Sequence, residues 1–294
     1  MNRFKTKSLG SVLFDSFNVV FLTLFSLVTV LPFINILAVS LSTSEGLKAK
    51  DFILIPSGFS LDAYRYLFTT EAVPRGLLVT VLITLAGTAI NLIFTLTMAY
   101  ALAKKDLMGR KTVMLLVTFS MLFSGGMIPS YLLIRNLSML DTYWALTVPG
   151  AISAFNLIII KNFFQQLPPG LEESAKIDGA SDIGVLCRIV LPLSMPTIAT
   201  FTLFYAVGHW NTFFAAIIYM NDSAKWPIQV VLRQIVILSS QLGENGDFDA
   251  AAISALSESI KMGVIVVATL PILLLYPFLQ KYFVKGVLLG SIKG

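Results

Sequence analysis

The side chains best able to recognise a ligand lie in the stretch 196–220. Thr202, Tyr205, His209 and Thr212 recur at intervals of 0, 3, 7 and 10, which places them on one face of a helix, with Trp210 and Asn211 beside it. Hydroxyls, an amide and aromatic rings suit a neutral polyhydroxylated ligand: hydrogen bonds fix its hydroxyls and rings cover its apolar face. The same residue types also hydrogen-bond across packed membrane helices, and the sequence leaves both readings open. His209 alone reads as a hydrogen-bonding residue rather than a proton carrier. Catalysis finds little material. One histidine and one cysteine, Cys187, leave no two-histidine or cysteine-cluster metal site and no internal disulfide. Gly-x-Ser-x-Gly, His-Glu-x-x-His and the phosphate-binding Gly-x-x-x-x-Gly-Lys-Ser/Thr are all missing from the sequence, so a polytopic membrane enzyme is a poor fit.

A second stretch, Gly170 to Pro196, is a polar interruption that reads as folded in its own right. Pro168, Pro169 and Gly170 stop what precedes it. Glu172 and Lys176, four apart with the acid first, predict a short helix that also carries Glu173 and Asp178. Ser174, Ala175 and Gly179 put little bulk on it. Ser181 or Asp182 caps a second helix running to Val190, and Leu191-Pro192 and Pro196 end that one. The expectation is a helix-turn-helix lying flat between two spans, with a small-residue surface open to close approach by another protein.

The elements that must hold these stretches are membrane helices. Of 294 residues, 56% are hydrophobic and 13% charged, against about 25% charged in soluble domains. The net charge of +5 is scattered beside apolar runs without a basic face, which argues against nucleic acid and for topology signals. Six spans are predicted: 17–39, 77–103, 112–134, 143–160, 196–220 and 262–280. The segment 1–16 precedes them, the loop 161–195 joins the fourth and fifth, and the tail is 281–294. Gly125, Gly126 and Pro129 predict a kink or break in the third. The segment Leu61 to Phe68 reads as a surface helix, and 228–240, apolar but short, lies at the interface. Trp144 and Trp226 read as interfacial anchors. With both termini inside, the inner segments hold thirteen Lys or Arg and the outer ones seven. The positive-inside rule therefore puts both termini and 161–195 of this multi-pass protein in the cytoplasm. As bounded, no span contains Asp, Glu, Lys or Arg. Ion-driven carriers usually need such a group, so energy enters from outside this chain.

The Gly170–Pro196 stretch also resembles the coupling loop of ABC-importer permeases, whose pattern is Glu-Ala-Ala, three residues, Gly, nine residues, Ile, one residue, Leu-Pro. Here Glu173-Ser174-Ala175 leads after three residues to Gly179, and nine more lead to Ile189, Val190, Leu191 and Pro192. Ser174 is the one departure, small for small. The whole chain is similar to the second permease subunit of carbohydrate-uptake ABC importers. Leu31-Pro32-Phe33, Asp141 to Leu146 and Trp210-Asn211 carry this likeness, and the ending Gln280 to Gly294 is similar to the subgroup importing complex or uronate-containing oligosaccharides. The resemblance implies an all-α, six-span type I importer fold, a second permease in a heterodimer, two ATPases that bind the ATP and Mg, an extracytoplasmic solute-binding protein and a carbohydrate substrate. It implies no cofactor and no catalysis on this chain itself. A permease of the same architecture for a peptide, polyamine or phosphate is the competing reading.

Overall fold

Among the described residues long apolar runs form helices, and Gly125-Gly126 and Pro149-Gly150 mark two of the places where they break. The computed structural model describes residues 9–47, 52–242 and 258–274. In order come α1 (Leu9–Ser40), α2 (Ser44–Leu47), α3 (Asp62–Thr69), α4 (Ala72–Ala103), α5 (Arg110–Leu122), α6 (Met127–Asn136), α7 (Trp144–Thr147), α8 (Ala154–Phe164) and α9 (Pro169–Ile177). Then follow α10 (Asp182–Val185), which continues through a π-helix (Leu186–Val190) into α11 (Leu191–Leu193), and α12 (Met195–Trp210), α13 (Phe214–Tyr219) and α14 (Ile228–Leu242). Residues 258–274 are helical. Among the described residues the only β pairing is an isolated bridge between Ser42 and Phe59.

Two helices, Gly10–Ser40 and Ala72–Ala103, are long and apolar enough to cross a bilayer. Two bent pairs raise this to four if each counts as one span. At 32 residues α4 is about 48 Å long, well beyond the roughly 30 Å of hydrocarbon. The helix of the expected second span extends five residues before 77: α4 begins at Ala72, and its first turn carries Arg75, paired with Glu71. The third expected span is sharply broken, α5 and α6 meeting at 118°, because Gly126 adopts φ +89°, a conformation open to glycine. The fourth is interrupted between Thr147 and Ala154, where Pro149 lacks a donor and Gly150 follows it. Its helix then runs past 160 to Phe164. The fifth breaks after Trp210 and resumes at Phe214. Of the sixth, 275–280 lie outside the described residues, as do the tail, the acidic segment 243–249 and residues 1–8.

The chain divides into two compact units, Met1–Thr70 with Leu232–Ala268, and Glu71–Val231 with Thr269–Gly294. In the first, α1 is exposed over almost its whole length. Its C-terminal end is tied down by Asn35 Nδ2 donating to the Ile53 carbonyl at 2.9 Å and by a 2.8 Å hydrogen bond between the Ser40 and Tyr64 hydroxyls. The second unit is organised along α4. At one end Leu96, Ala99, Tyr100 and Leu102 pack with Leu157, Ile160 and Phe164 of α8, Phe201 of α12 and Val185, Leu186 and Val190 of the π-helical segment. At the other end Val79 and Ile83 pack with Leu146, Ala216, Met220 and Val230.

Beyond that second cluster two loops are stapled by Asp141. Its backbone is left-handed, φ +59°, a region Asp tolerates better than most residues. Its N–H donates to the Tyr219 carbonyl at 2.8 Å. Oδ1 accepts the N–H groups of Asn221 and Asp222, both at 3.1 Å, and Lys225 Nζ donates to Oδ2 at 3.1 Å and to the Asp141 carbonyl at 2.9 Å. The Asp222 backbone and then the Lys225 ammonium hold the Asp141 carboxyl below the usual carboxylate range. A lowered folded-state value contributes stability that is present above the unfolded pKa, about 3.9, and lost as pH falls through the folded value. Asp141→Asn is therefore expected to melt below the wild type at neutral pH, with the gap closing under acid. Thermal unfolding in detergent across that range checks this, and equal melting at neutral pH would refute it.

Candidate functional site

The hairpin Pro169–Leu193 owes its shape to three local devices. Pro168 and Pro169 start α9, where a missing N–H costs nothing. At its end the Ala180 N–H donates to the Ala175 carbonyl (2.9 Å) and the Gly179 N–H to the Lys176 carbonyl (3.0 Å), with Gly179 at φ +83°. This pair of bonds is a Schellman cap. The Ser181 hydroxyl then accepts the Gly184 N–H and opens α10. The second helix does not stop at Val190. The Leu191 N–H reaches the Leu186 carbonyl, five residues back, and this wider turn carries the helix on to Leu193. Pro192 sits in the first turn of α11, where its missing donor is harmless. At Ser194 the path bends 87° into α12.

Glu172 and Lys176 do not pair as their spacing predicts. Glu172 pairs with Lys104, the residue capping α4, and Lys176 Nζ lies 3.0 Å from Asp182 Oδ1. Tertiary partners outcompete an i,i+4 pair worth only about 0.3–0.5 kcal/mol. The hairpin's inner face, Ala175, Ala180 and Leu191 with Val185, Leu186 and Val190, packs on the core. Its outer face bears Ile177, 86% exposed, and Ile183, 75% exposed, on either side of Gly179, around whose Cα there is open space. Glu173, Ser174, Asp178 and Pro192 are exposed and Ile189 half-buried.

The polar stripe of α12 turns toward α4. The Tyr205 hydroxyl shares a 2.8 Å hydrogen bond with Thr95 and accepts the Ser153 N–H at 3.4 Å. One turn further, His209 Nε2 lies 2.6 Å from Asn91 Oδ1, while Asn91 Nδ2 donates to the Gly150 carbonyl at 2.5 Å. With the amide NH2 so engaged, Oδ1 accepts and the His209 proton sits on Nε2. A Cβ at Gly87 would lie 2.5 Å from the His209 ring, so the glycine is a notch for the imidazole. Gly87, Asn91 and Thr95, at i, i+4 and i+8, thus meet Tyr205 and His209 in two rungs. Both rungs also reach the non-helical backbone between α7 and α8. Such backbone is tolerated in a membrane only where its polar groups find partners.

Comparison with known proteins decides the family. A model of the binding-protein-dependent transport system inner membrane component matches residues 2–289. The chain belongs to that family. The transport component is 57% identical over 284 residues to the polygalacturonan/rhamnogalacturonan transport system permease protein YtcP of Bacillus subtilis, covering 96% of this chain and 99% of that one. To LplC of the same organism it is 58% identical over 281 residues, covering 96% and 95%. It superposes with a TM-score of 0.86 and 31% identity on a chain of a bacterial ABC transporter involved in import of the acidic polysaccharide alginate, covering 94% and 99%. The helical architecture is that of a type I ABC permease.

Within this transport component, the structure brings Tyr205 and His209 together with α4. It leaves Thr202 and Thr212 bonded back to the Ile198 and Gly208 carbonyls of their own helix. Asn211 likewise bonds back to Val207, and Trp210 is buried. Asn91, Thr95 and Gly87 escaped the sequence reading, although a polar stripe with a glycine inside an apolar span was a visible signal. Trp226 is half-buried and its Nε1 donates to the Met220 carbonyl. Trp144, exposed, and Tyr143 line a cavity of about 500 Å³ over Leu82, Ile83 and Ala86, beside Asp141 and Lys225. Among the described residues no three His, Cys, Asp or Glu side chains are grouped to hold a metal ion.

The two rungs predict unequal costs. Asn91→Leu orphans both the Gly150 carbonyl and His209 and is expected to cost about 1–3 kcal/mol. Thr95→Val leaves Tyr205 bonded to Ser153 and is expected to cost about 0.6 kcal/mol, the usual worth of one interhelical hydrogen bond. Unfolding of both variants in detergent measures the difference, and equal costs would mean that the backbone break does not depend on Asn91.

Proposed function

We propose that this chain is one half of the gate of an ATP-driven importer for an oligosaccharide, with uronate-rich chains the favoured class. In this reading six helices cross a bacterial cell membrane with both termini in the cytoplasm. A second permease completes the pathway, a solute-binding protein delivers the sugar from outside, and two ATPases bind ATP and Mg beneath. The chain hydrolyses nothing itself.

The observation that carries the reading is the outward face of the hairpin. Ile177 and Ile183 are among the most exposed side chains of the second unit, yet they stand at the tip of an otherwise polar element held by its own cap. Exposed apolar residues around a clear glycine are what a docked partner would bury. The Lys and Arg distribution supports a cytoplasmic hairpin, and so an ATPase as that partner. The names of the similar proteins support the solute: polygalacturonan and rhamnogalacturonan for one, alginate for another. Coupling then needs only a bundle with two arrangements, biased through the docked hairpin: ATP binding draws the hairpins together and opens the pathway outward, and hydrolysis resets it.

The decisive experiment is co-purification with the neighbouring subunits and a ligand screen on ATPase stimulation. Acidic oligosaccharides are expected to stimulate; stimulation by a peptide or polyamine instead would assign the same architecture to another solute. Two variants separate docking from folding. Gly179→Ala strains a left-handed position by about 1–2 kcal/mol but adds little bulk, and is expected to retain most uptake. Gly179→Trp adds the same strain plus bulk at the tip, and is expected to leave ATP hydrolysis running while uptake stops. Unchanged uptake by the tryptophan variant would count against docking at this surface.

A further inference from the structure

We propose that Lys104 and Glu172 form a strut that makes α4 follow the hairpin, so that both are positioning residues for transport. The inference rests on the coupling reading above and extends it to a helix that is not covalently adjacent to the hairpin. The hairpin is joined by chain to α8 on one side and α12 on the other; α4 meets it only through side chains.

The end of α4 is held from three directions. Arg110 Nε donates to the Leu102 carbonyl at 2.8 Å and Gln165 Nε2 to the Ala103 carbonyl at 3.1 Å. The Lys104 ammonium, 4.5 Å above the centre of the Tyr100 ring, pairs with Glu172. Of these holds only the last reaches the hairpin. Glu172 lies in the first turn of α9, where the helix dipole favours an acid. Both partners are about three-quarters shielded, with 24% of each side chain exposed. The Lys176–Asp182 pair, at 50% and 66%, is open to water and splints α9 to α10 weakly. Burial, with Lys176 nearby, lowers the Lys104 pKa, and Asp182 and Asp106 offset part of that lowering.

Alongside this pair the structure is not close-packed. A cavity of about 290 Å³, lined by Tyr100, Lys104, Asp106, Lys176 and Asp182 among others, separates α4 from the hairpin. The apolar contacts deeper in hold the two elements together but are non-directional and permit tilt. A directed ion pair across the gap is what fixes the angle between them. Without it the hairpin has room to tip into the cavity when pulled, and α4, with the clamped backbone break that its Asn91 and Thr95 support, is left behind.

The test uses the assembled complex, with cysteine-free partner subunits, in nanodiscs. A label on the native Cys187, which is exposed on the hairpin, and another on Thr97→Cys, exposed on α4, report their separation by pulsed EPR with and without trapped ATP. With the native pair, one narrow distance is expected in both states. Lys104→Gln and Glu172→Gln are each expected to broaden or shift it on ATP trapping, and to lower oligogalacturonide taken up per ATP by about fivefold or more, the lower end of usual coupling factors. The exchange Lys104→Glu with Glu172→Lys restores opposite charges across the gap but sets a lysine in the first turn of α9 and a glutamate near Asp106 and Asp182; it is expected to recover part of both, which a loss of folding would not allow. Wild-type distances and uptake in either single variant, or an exchange no better than the singles, would overturn the strut. Crosslinking from Ile177→Cys, exposed at the hairpin tip, to the ATPase runs alongside. Its loss in the wild-type background would overturn the coupling reading and the strut with it, whereas its retention with a failed exchange would overturn the strut alone.

Discussion

Backbone that leaves the helical path inside an apolar environment must find new partners for its N–H and C=O groups, and between α7 and α8 two facing helices, α4 and α12, supply them. The chain between α7 and α8 leaves the helical pattern at Pro149-Gly150, and the amide of Asn91 and the hydroxyl of Tyr205 take up the Gly150 carbonyl and the Ser153 N–H. Asn91 and Thr95 can do so only because α4 runs unbroken past the gap. An orphaned backbone group there would cost about 1–3 kcal/mol, so the straightness of α4 and the irregularity of its neighbours are two sides of one constraint.

The same arrangement gives three buried polar residues of α4 their roles. Thr80, Asn91 and Thr95 are fully buried, and each has a specific assignment: Thr80 Oγ1 accepts the Ile228 N–H at 2.8 Å at the start of α14, and the other two serve the rungs. At Gly87 the His209 ring comes too close for a Cβ, and at Gly76 a Cβ would sit tightly against Val231, 3.1 Å away. Small and polar residues on one stripe let α4 be approached closely and bonded laterally, which is how membrane helices associate when water supplies no hydrophobic drive between them. Apolar clusters at the two ends then add area without adding direction.

Much of this was legible in the sequence, and what was not has identifiable reasons. The hairpin was readable because prolines, small residues and a capping serine are local signals that act over four or five residues. The surface helix at 62–69 was placed within a residue of its ends for the same reason. The Glu172–Lys176 pairing failed because the nearer choice along the helix lost to Lys104, sixty-eight positions away in the chain, a competition that spacing cannot register. The fourth span was drawn as continuous because hydrophobicity outweighed Pro149-Gly150, although that dipeptide is a strong breaker. Of the stripe expected on α12, Tyr205 and His209 lie together against α4, whereas Thr212 falls beyond the helix end at Trp210. The stripe's neighbour on α4 passed unnoticed, and with it the fact that Tyr205 and His209 spend their polar atoms on helix-to-helix bonding.

The hairpin's spacing pattern follows from this geometry. A Schellman cap needs a residue at positive φ directly after the C-cap, so the glycine must stand at a set distance from the residues of α9 that face inward; Ala175 supplies both a core contact and the carbonyl that Ala180 bonds. Ser181 then has to follow within two residues to open α10 while the chain is still turning. From there the interval to Leu191-Pro192 is set by a π-turn, whose five-residue bond hands the chain on in a register where proline's missing donor is not needed. Lengthening any interval by one residue would rotate Val185, Leu186 and Val190 out of the core by about 100° and carry the exposed isoleucines away from the glycine. The gaps are therefore a record of how a polar hairpin keeps one face on its own core and leaves the other free.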